Sequence, residues 1–595
     1  MYLSELKLWN FRKYGGSEWD LEKPHLIVPF NRGLNVLIGE NDSGKTAIID
    51  AIKIVLKTHA FEWIKIVEDD FFSGSDKLRI ELLFKGFEPE EAKNFTEWLG
   101  WELIQGEKEE KAIPILRLLY QVEYDKVNRR VLPSDISAGM DNVGYSLNAE
   151  VKEYLKCTYL KALRDADSEL NAKRNSRVSQ IFQGHDLFKE RDGRPHKFVE
   201  DFKKLNDAIE FWFSDDKSSG DEKSNKEQIK DIIDYFLHKF INESIESRLF
   251  LTDPDIKAIL EKVTLGIANS KNLGLGTMNR LFMAVELLHL RKQWDGLKLC
   301  LIEELEAHLH PQAQMKVINT LQEEENIQFI LTTHSPNLAS KVDIENIILC
   351  HKNNVYSLDK GYTKLENADY KYLTTFLDVT KSNLFFAKGV LIVEGWSEEI
   401  LLPVVADKIG LNLTAHEVSI VNVGSTAYLK FAKIFLRNSK EGEVLDVPVA
   451  VVTDLDVQPT DDGVFDFNQQ KNKKSKIEFN VGDLTDSRVT LNIAKEWTLE
   501  WCLYKSTSLG EAFRQSVSEV HHKTKSFQKG ETGWNENFER TLISKLKKGK
   551  GSSPLDKVAV ALKLAEKMKR SKVIIDENDD YLRYLLDAIK HVCRK

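Results

Sequence analysis

Apolar and polar residues alternate over Leu3–Phe11 (LSELKLWNF), the period of an amphipathic strand. Leu78–Phe84 (LRIELLF) and Leu118–Tyr124 (LLYQVEY) extend the pattern into a strand-rich lobe. From about Val151 the period turns helical. Amphipathic stretches run through Phe198–Phe213 and Ile229–Leu249, and Ser214–Glu227 (SDDKSSGDEKSNKE), with no apolar anchor, is expected to be a polar loop between them. Residues 160–265 therefore read as a helical insertion that projects and pairs with another copy; a further globular helical layer fits the pattern equally well. Elsewhere the apolar residues come in short unbroken runs: Leu34–Ile38, Leu299–Ile302, Gln328–Leu331, Val390–Val393, Val418–Val423 and Val447–Thr453. Unbroken runs of this length suit buried strands of parallel sheets, which makes the chain α/β.

The residues at the C-terminal end of each run carry the chemistry. Leu34–Ile38 enters Gly39–Thr46 (GENDSGKT), a full match to GxxxxGK[ST], and then a helical pattern. In that context backbone N–H groups around Asn41 and Gly44 cradle phosphates, Lys45 reaches the β/γ-phosphates of ATP, and Thr46 ligates Mg²⁺. Leu299–Ile302 runs straight into Glu303 and Glu304. Adjacent carboxylates at the end of a buried strand are costly unless they face a cation or polar ligand. In an ATPase the first helps to hold Mg²⁺ and the second, Glu304, polarises water; alone, the pair also reads as a solvated acidic turn. Asn272–Asn279 (NLGLGTMN) sets Gly274 and Gly276 before a helix expected over Arg280–Leu290, where glycine permits close approach of a phosphate. Gln328–Leu331 leads to Thr333-His334-Ser335, placing His334 beside the γ-phosphate.

Further carboxylates cap the later runs. Glu394 ends one strand, with Glu398 four residues on, a helical turn away in a helix from Ser397 to Lys408. Asp454 and Asp456 end another, and residues i and i+2 of an extended chain point the same way. Glu500 comes after Val489–Lys495. These residues collect at the C-terminal edge of a parallel sheet, where open α/β sheets bind ligands. Their mutual repulsion calls for cations, and two Mg²⁺ or Mn²⁺ ions would offset it.

Length and composition set the outer limits. A chain of 595 residues has room for roughly three or four domains at ~150 residues each. The net charge of −9 excludes a generally basic nucleic-acid surface, so DNA contact is left to local runs such as Lys471–Lys476, Lys545–Lys550 and Lys567–Lys572. Five scattered cysteines without CxxC pairs suit a reducing cytoplasm and argue against structural zinc. No 18-residue apolar run suggests a membrane span.

The order of Gly39–Thr46, Asn272–Asn279, Glu303-Glu304 and Thr333-His334-Ser335 resembles an ATP-binding-cassette ATPase head split by an insertion. Asn10-Phe11-Arg12 resembles the opening of the recombination-repair and chromosome-maintenance ATPases, where the arginine contacts nucleotide phosphates. The signature departs from the Ser-Gly-Gly form, and Glu303 stands in place of Asp. Both departures, with Lys161–Glu169 and Ala307–Pro311, resemble OLD-family proteins (overcoming lysogenisation defect); Leu305 stands where that family often has Pro. The resemblance implies an ATPase head over 1–159 and 266–375, a dimerising insertion over 160–265, and a Rossmann-like Toprim nuclease domain over 376–595. It also implies a signature that acts in trans within a homodimer or larger assembly, and DNA cleavage with two metals at Glu394, Glu398, Asp454, Asp456 and Glu500. A Lys-Gly-x-x-Ala-x-x-Leu-Ala motif of the family matches Lys557–Ala565 with Val558 for Gly; Lys557 is the expected charge-stabilising lysine and Lys550 the alternative. Many relatives serve anti-phage defence, in Gabija-type and retron-associated systems, which implies a helicase-like protein or a reverse transcriptase with its nucleic acid as companion. Two rivals remain: an ATPase switch of a repair complex with a vestigial Toprim domain, and a topoisomerase or primase.

Overall fold

The computed structural model describes residues 1–59, 64–105, 110–161, 170–174, 176–183, 186–188, 195–214, 221–241, 247, 255–268, 274–291, 296–425, 427–438, 444–481, 488–529, 534–547, 553–570 and 573–594. They fall into two compact units. Met1–Thr58, Trp63–Cys157 and Gly296–Lys595 form the first, and His59–Glu62 with Thr158–Asp295 form the second. The second unit runs on to Asp295, past the insertion boundary expected at 265.

The first unit holds three sheets. In the antiparallel one, Tyr2–Trp9 lies between Leu26–Pro29 and Lys77–Lys85, and Glu110–Asp125 pairs beyond. A register shift between Leu3 and Glu5 lets Leu3, Leu6 and Leu8 share the buried face despite their uneven spacing. In the second sheet, Leu299–Ile302, Gln328–Thr333, Leu34–Ile38 and Ile347–His351 lie side by side and parallel. Every residue of the first three is buried, which is why they read as unbroken apolar runs. Parallel strands bring their C-terminal ends to one edge, so the Gly39 loop, Glu303 and His334 meet there.

The third sheet is wholly parallel, in the order Val418–Asn422, Gly389–Val393, Val449–Thr453, Val489–Ile493. Leu401, Leu402, Val404 and Val405 of the helix Trp396–Lys408 are buried in one core with Trp501, Phe513 and Phe538. Helices Lys557–Arg570 and Arg583–Val592 contribute Val560, Leu564, Leu585 and Ile589 to the same core. Each such side chain stabilises the fold by about 1.5–3 kcal/mol. This is the Rossmann-like layer that the C-terminal pattern implied.

The second unit is helical, with Lys197–Ser214, Asp221–Ile241 and Leu275–Arg291 as its long elements. The polar loop expected over Ser214–Glu227 is corrected: a helix already runs from Asp221. Glu and Lys in DEKSNKE are good helix formers, so polarity there marked solvent contact rather than a break. Arg177 and Glu286 form a buried two-pronged ion pair, Nε–Oε1 at 2.6 Å and Nη2–Oε2 at 2.9 Å. Residues 162–169 of the Lys161–Glu169 motif lie outside the described residues.

Candidate active sites

The glycine loop closes on itself. Lys45 Nζ donates to Gly39 O at 2.8 Å, Glu40 O at 2.7 Å and Ser43 Oγ at 3.2 Å. Burial pushes its ammonium below the ordinary lysine value, while Glu306 and Glu304 pull it back up. Gly44 is required sterically: its φ is +100°, and a Cβ would stand 1.9 Å from the Tyr14 hydroxyl. Helix Lys45–Leu56 comes next, and Thr46 is exposed in its first turn.

Glu303 is half-buried and Glu304 exposed, and Glu304 N donates to Thr332 Oγ1 at 3.1 Å. His334 lies near Gly39, Lys45, Glu304 and Glu306, and burial together with the Lys45 charge lowers its pKa. It is therefore a neutral imidazole at pH 7, able to donate one hydrogen bond. The structure brings Lys45, Glu304 and His334 together. It also adds Glu306, which sequence reasoning passed over. Glu306 accepts from Thr333 Oγ1 at 2.9 Å and His334 N at 2.6 Å, fixing the end of the neighbouring strand. The signal was a third carboxylate two residues beyond Glu304.

Arg12 is held by carboxylates, Nη1 on Asp50 at 2.8 Å and Nε on Asp70 at 2.9 Å, so part of its fork is engaged within the fold. Lys13 also stands at the loop, with Nζ on Asp42 O at 2.8 Å. The signature helix begins at Leu275 rather than Arg280, which puts Gly276 inside its first turn and leaves Gly274 just before it. Arg12, Asp42, Glu304 and Asp456 all have left-handed backbone, with φ between 42° and 59°. Such conformations cost about 1–3 kcal/mol each and gather at functional sites.

At the edge of the third sheet, Glu394 ends one strand and Thr453-Asp454 the next. Glu398 sits on the first turn of the helix beyond Glu394, buried at 9% exposure. Glu500, 3% exposed, sits at the start of helix Leu499–Lys505, and Lys557 Nζ meets its Oε2 at 2.8 Å. Ser397 Oγ lies 3.4 Å from the other Glu500 oxygen. Asp454 keeps some exposed surface, but its carboxyl turns into the fold, where Oδ1 accepts from Leu499 N at 2.8 Å.

Crowding shows in the acidities. Burial, then Glu500, pushes the Glu398 carboxyl up to about 7. Asp454 is raised by burial, then by Glu500 and Glu398. Glu394 is raised by burial and by Asp456, against a hydrogen bond from Thr453. Burial opposes the Lys557 ammonium, but Glu500, Asp454 and Glu398 outweigh it and raise its pKa. Glu500, Asp454 and Glu398 thus converge on Lys557, with Glu394 beside Asp454 and Glu398, and Asp456 beside Glu394. Lys550 lies outside the described residues. Among the described residues no three acidic, histidine or cysteine side chains already stand in position to ligate one ion. Their chemistry nonetheless fits hard divalent cations: the donors are all carboxylate oxygens, and their charge exceeds what Lys557 balances. Among the described residues, the buried Tyr584 hydroxyl, beside Asp454, Glu398 and Glu500, has no hydrogen-bond partner.

A family described as AAA ATPase domain matches residues 1–271 and 256–339. The Toprim domain of overcoming lysogenization defect protein-like proteins matches residues 385–456, which span Glu394, Glu398, Asp454 and Asp456. The first of these matches covers more than half of the chain, which belongs to that AAA ATPase family and carries an OLD-like Toprim domain. Endonuclease GajA of Bacillus cereus (strain HuB5-5) is 23% identical over 577 residues, covering 81% of this chain and 80% of that protein. The OLD nuclease of Thermus scotoductus is 22% identical over 460 residues, covering 74% and 81%. A retron Ec83 probable ATPase of Escherichia coli is 41% identical over 68 residues, 11% and 12% of the two chains. The chain therefore joins an ATPase head to a Toprim nuclease domain, and domains of these kinds use ATP and divalent metal.

Proposed function

We propose that this chain nicks or cleaves DNA in its Toprim domain with two divalent cations, Mg²⁺ or Mn²⁺, under the control of ATP in the head, as an effector of anti-phage defence. The observation that carries the reading is the gathering of Glu398, Asp454 and Glu500 about Lys557, with Glu394 beside Glu398 and Asp454. These carboxylates and Asp456 hold the cations, which when bound compensate charge and acidify water. Lys557 faces the oxygen on which negative charge develops and stabilises it. Lys473, on the helix Phe467–Val481, lies within electrostatic range of Glu394 and suits a phosphate of the DNA backbone.

In the head, Asn41, Gly44, Lys45 and Thr46 take ATP with Mg²⁺, Glu303 aids the metal and Glu304 positions the attacking water. Gly274 and Gly276 complete the site of a second copy, so the working form is a homodimer or larger. The insertion's exposed Ile232, Tyr235, Phe236 and Phe240 share one helix face and support this pairing. Among the described residues no helix is long and apolar enough to cross a membrane, and we place the protein in the cytoplasm with a further defence component. The test is supercoiled plasmid incubated with Mg²⁺ or Mn²⁺. Nicked and linear products are expected. An intact plasmid would point to a vestigial Toprim domain, and relaxed closed circles to a topoisomerase.

A further inference from the structure

Strands Gly389–Val393 and Val449–Thr453 are parallel neighbours, with Val393 opposite Val452. One step beyond that register, Glu394 and Thr453 face each other across the sheet edge. The Thr453 hydroxyl donates to Glu394 Oε1 in a short hydrogen bond. Thr453 has one proton to give. Its backbone alternative, Asp454 O, lies at 3.4 Å, a marginal distance, so the proton belongs to Glu394. Thr453 is buried, so no water competes for that proton.

We propose that Thr453 is a positioning residue for Glu394: its hydroxyl fixes one carboxylate oxygen, Oε1, and leaves the other to a divalent cation. A carboxylate free to rotate would offer either oxygen or both; a pinned one presents a single oxygen in a single direction. Groups that orient a metal ligand in this way are commonly worth 10- to 100-fold in metal affinity. The inference rests on the reading that Glu394 is a metal ligand, and deepens it.

The experiment measures Mn²⁺ binding to the full-length chain by titration, with free Mn²⁺ followed by electron paramagnetic resonance. The proteins are wild type, Glu394→Ala, Thr453→Val, Thr453→Ala and Thr453→Ser. Thr453→Val should weaken binding about 10-fold or more. Thr453→Ser, which restores the hydroxyl, should return it to within a few-fold of wild type. Nicking rates at saturating Mn²⁺ should recover more than the affinities do. A Thr453→Val affinity equal to wild type, or a Thr453→Ser affinity no better than that of Thr453→Val, would overturn the proposal. If Thr453→Val does not fold, Thr453→Ala decides: unchanged affinity overturns it. If Glu394→Ala binds Mn²⁺ as wild type does, the metal-ligand reading fails first. If Glu394→Ala loses an ion while the Thr453 variants do not, only the positioning role fails.

Discussion

Glu398 offers the sharpest physical test of the carboxylate cluster. Its carboxyl is buried on the first turn of helix Trp396–Lys408, and burial, reinforced by Glu500, pushes it up to about 7 from an ordinary 4.5. A carboxyl raised on folding contributes stability that is full below 4.5 and is lost as pH climbs through about 7, because the unfolded chain ionises first. At about 1.4 kcal/mol for each pH unit between the two values, the loss is about 3 kcal/mol. Glu398→Gln cannot titrate and should escape it. The assay is thermal melting of the metal-free protein in EDTA at pH 5, 6, 7 and 8. Wild type should melt progressively lower than Glu398→Gln as pH rises, with most of the divergence complete near pH 8. Divalent cation should invert the trend. Ligation needs the ionised form, so wild-type Mn²⁺ affinity should rise about tenfold from pH 6 to pH 8, with close to one proton released per ion at pH 6. Parallel melting curves for the two proteins, or an affinity flat from pH 6 to pH 8, would refute the reasoning.

Other perturbations draw on the same geometry. Lys557→Met strips from buried Glu500 the cation it is paired with; because Lys557 is 44% exposed, we expect only about 1 kcal/mol of destabilisation in metal-free melting, but a ~10²–10³-fold slower nicking rate. Gly44→Ala drives a methyl into the Tyr14 hydroxyl at a left-handed φ, so ATP titration should show binding lost and melting should show destabilisation of about 1–3 kcal/mol; near-normal binding would mean the loop opens freely. Lys45→Ala should abolish ATP binding. Glu304→Gln should bind ATP and hydrolyse it slowly, and a wild-type turnover in that variant would move the base elsewhere.

Much of both sites could be read along the chain because their residues sit at strand ends. Glu394, Asp454 and the Gly39 loop each come directly after an apolar run, and parallel pairing then forces those ends to one edge. What escaped was pairing at long sequence distance. Nothing in periodicity marks Asp50 and Asp70 as the partners of Arg12, or Glu306 as the clamp on Thr333 and His334. Thr453 was hidden for a different reason: as the last residue of a buried β-rich run it looked like strand filler. The start of the helix at Asp221 was missed because polar composition was taken as a break, although its Glu and Lys favour helix.

The most direct measurement is plasmid nicking in Mn²⁺ by purified wild type, Glu394→Ala, Asp454→Ala and Lys45→Ala, each shown to be folded by melting. Bond cleavage by carboxylate-held cations predicts that Glu394→Ala and Asp454→Ala lose activity by orders of magnitude while still binding ATP, and that Lys45→Ala, unable to bind ATP, still cuts. Nicking at the wild-type rate by Glu394→Ala and Asp454→Ala would contradict the assignment of the Toprim site as the nuclease centre.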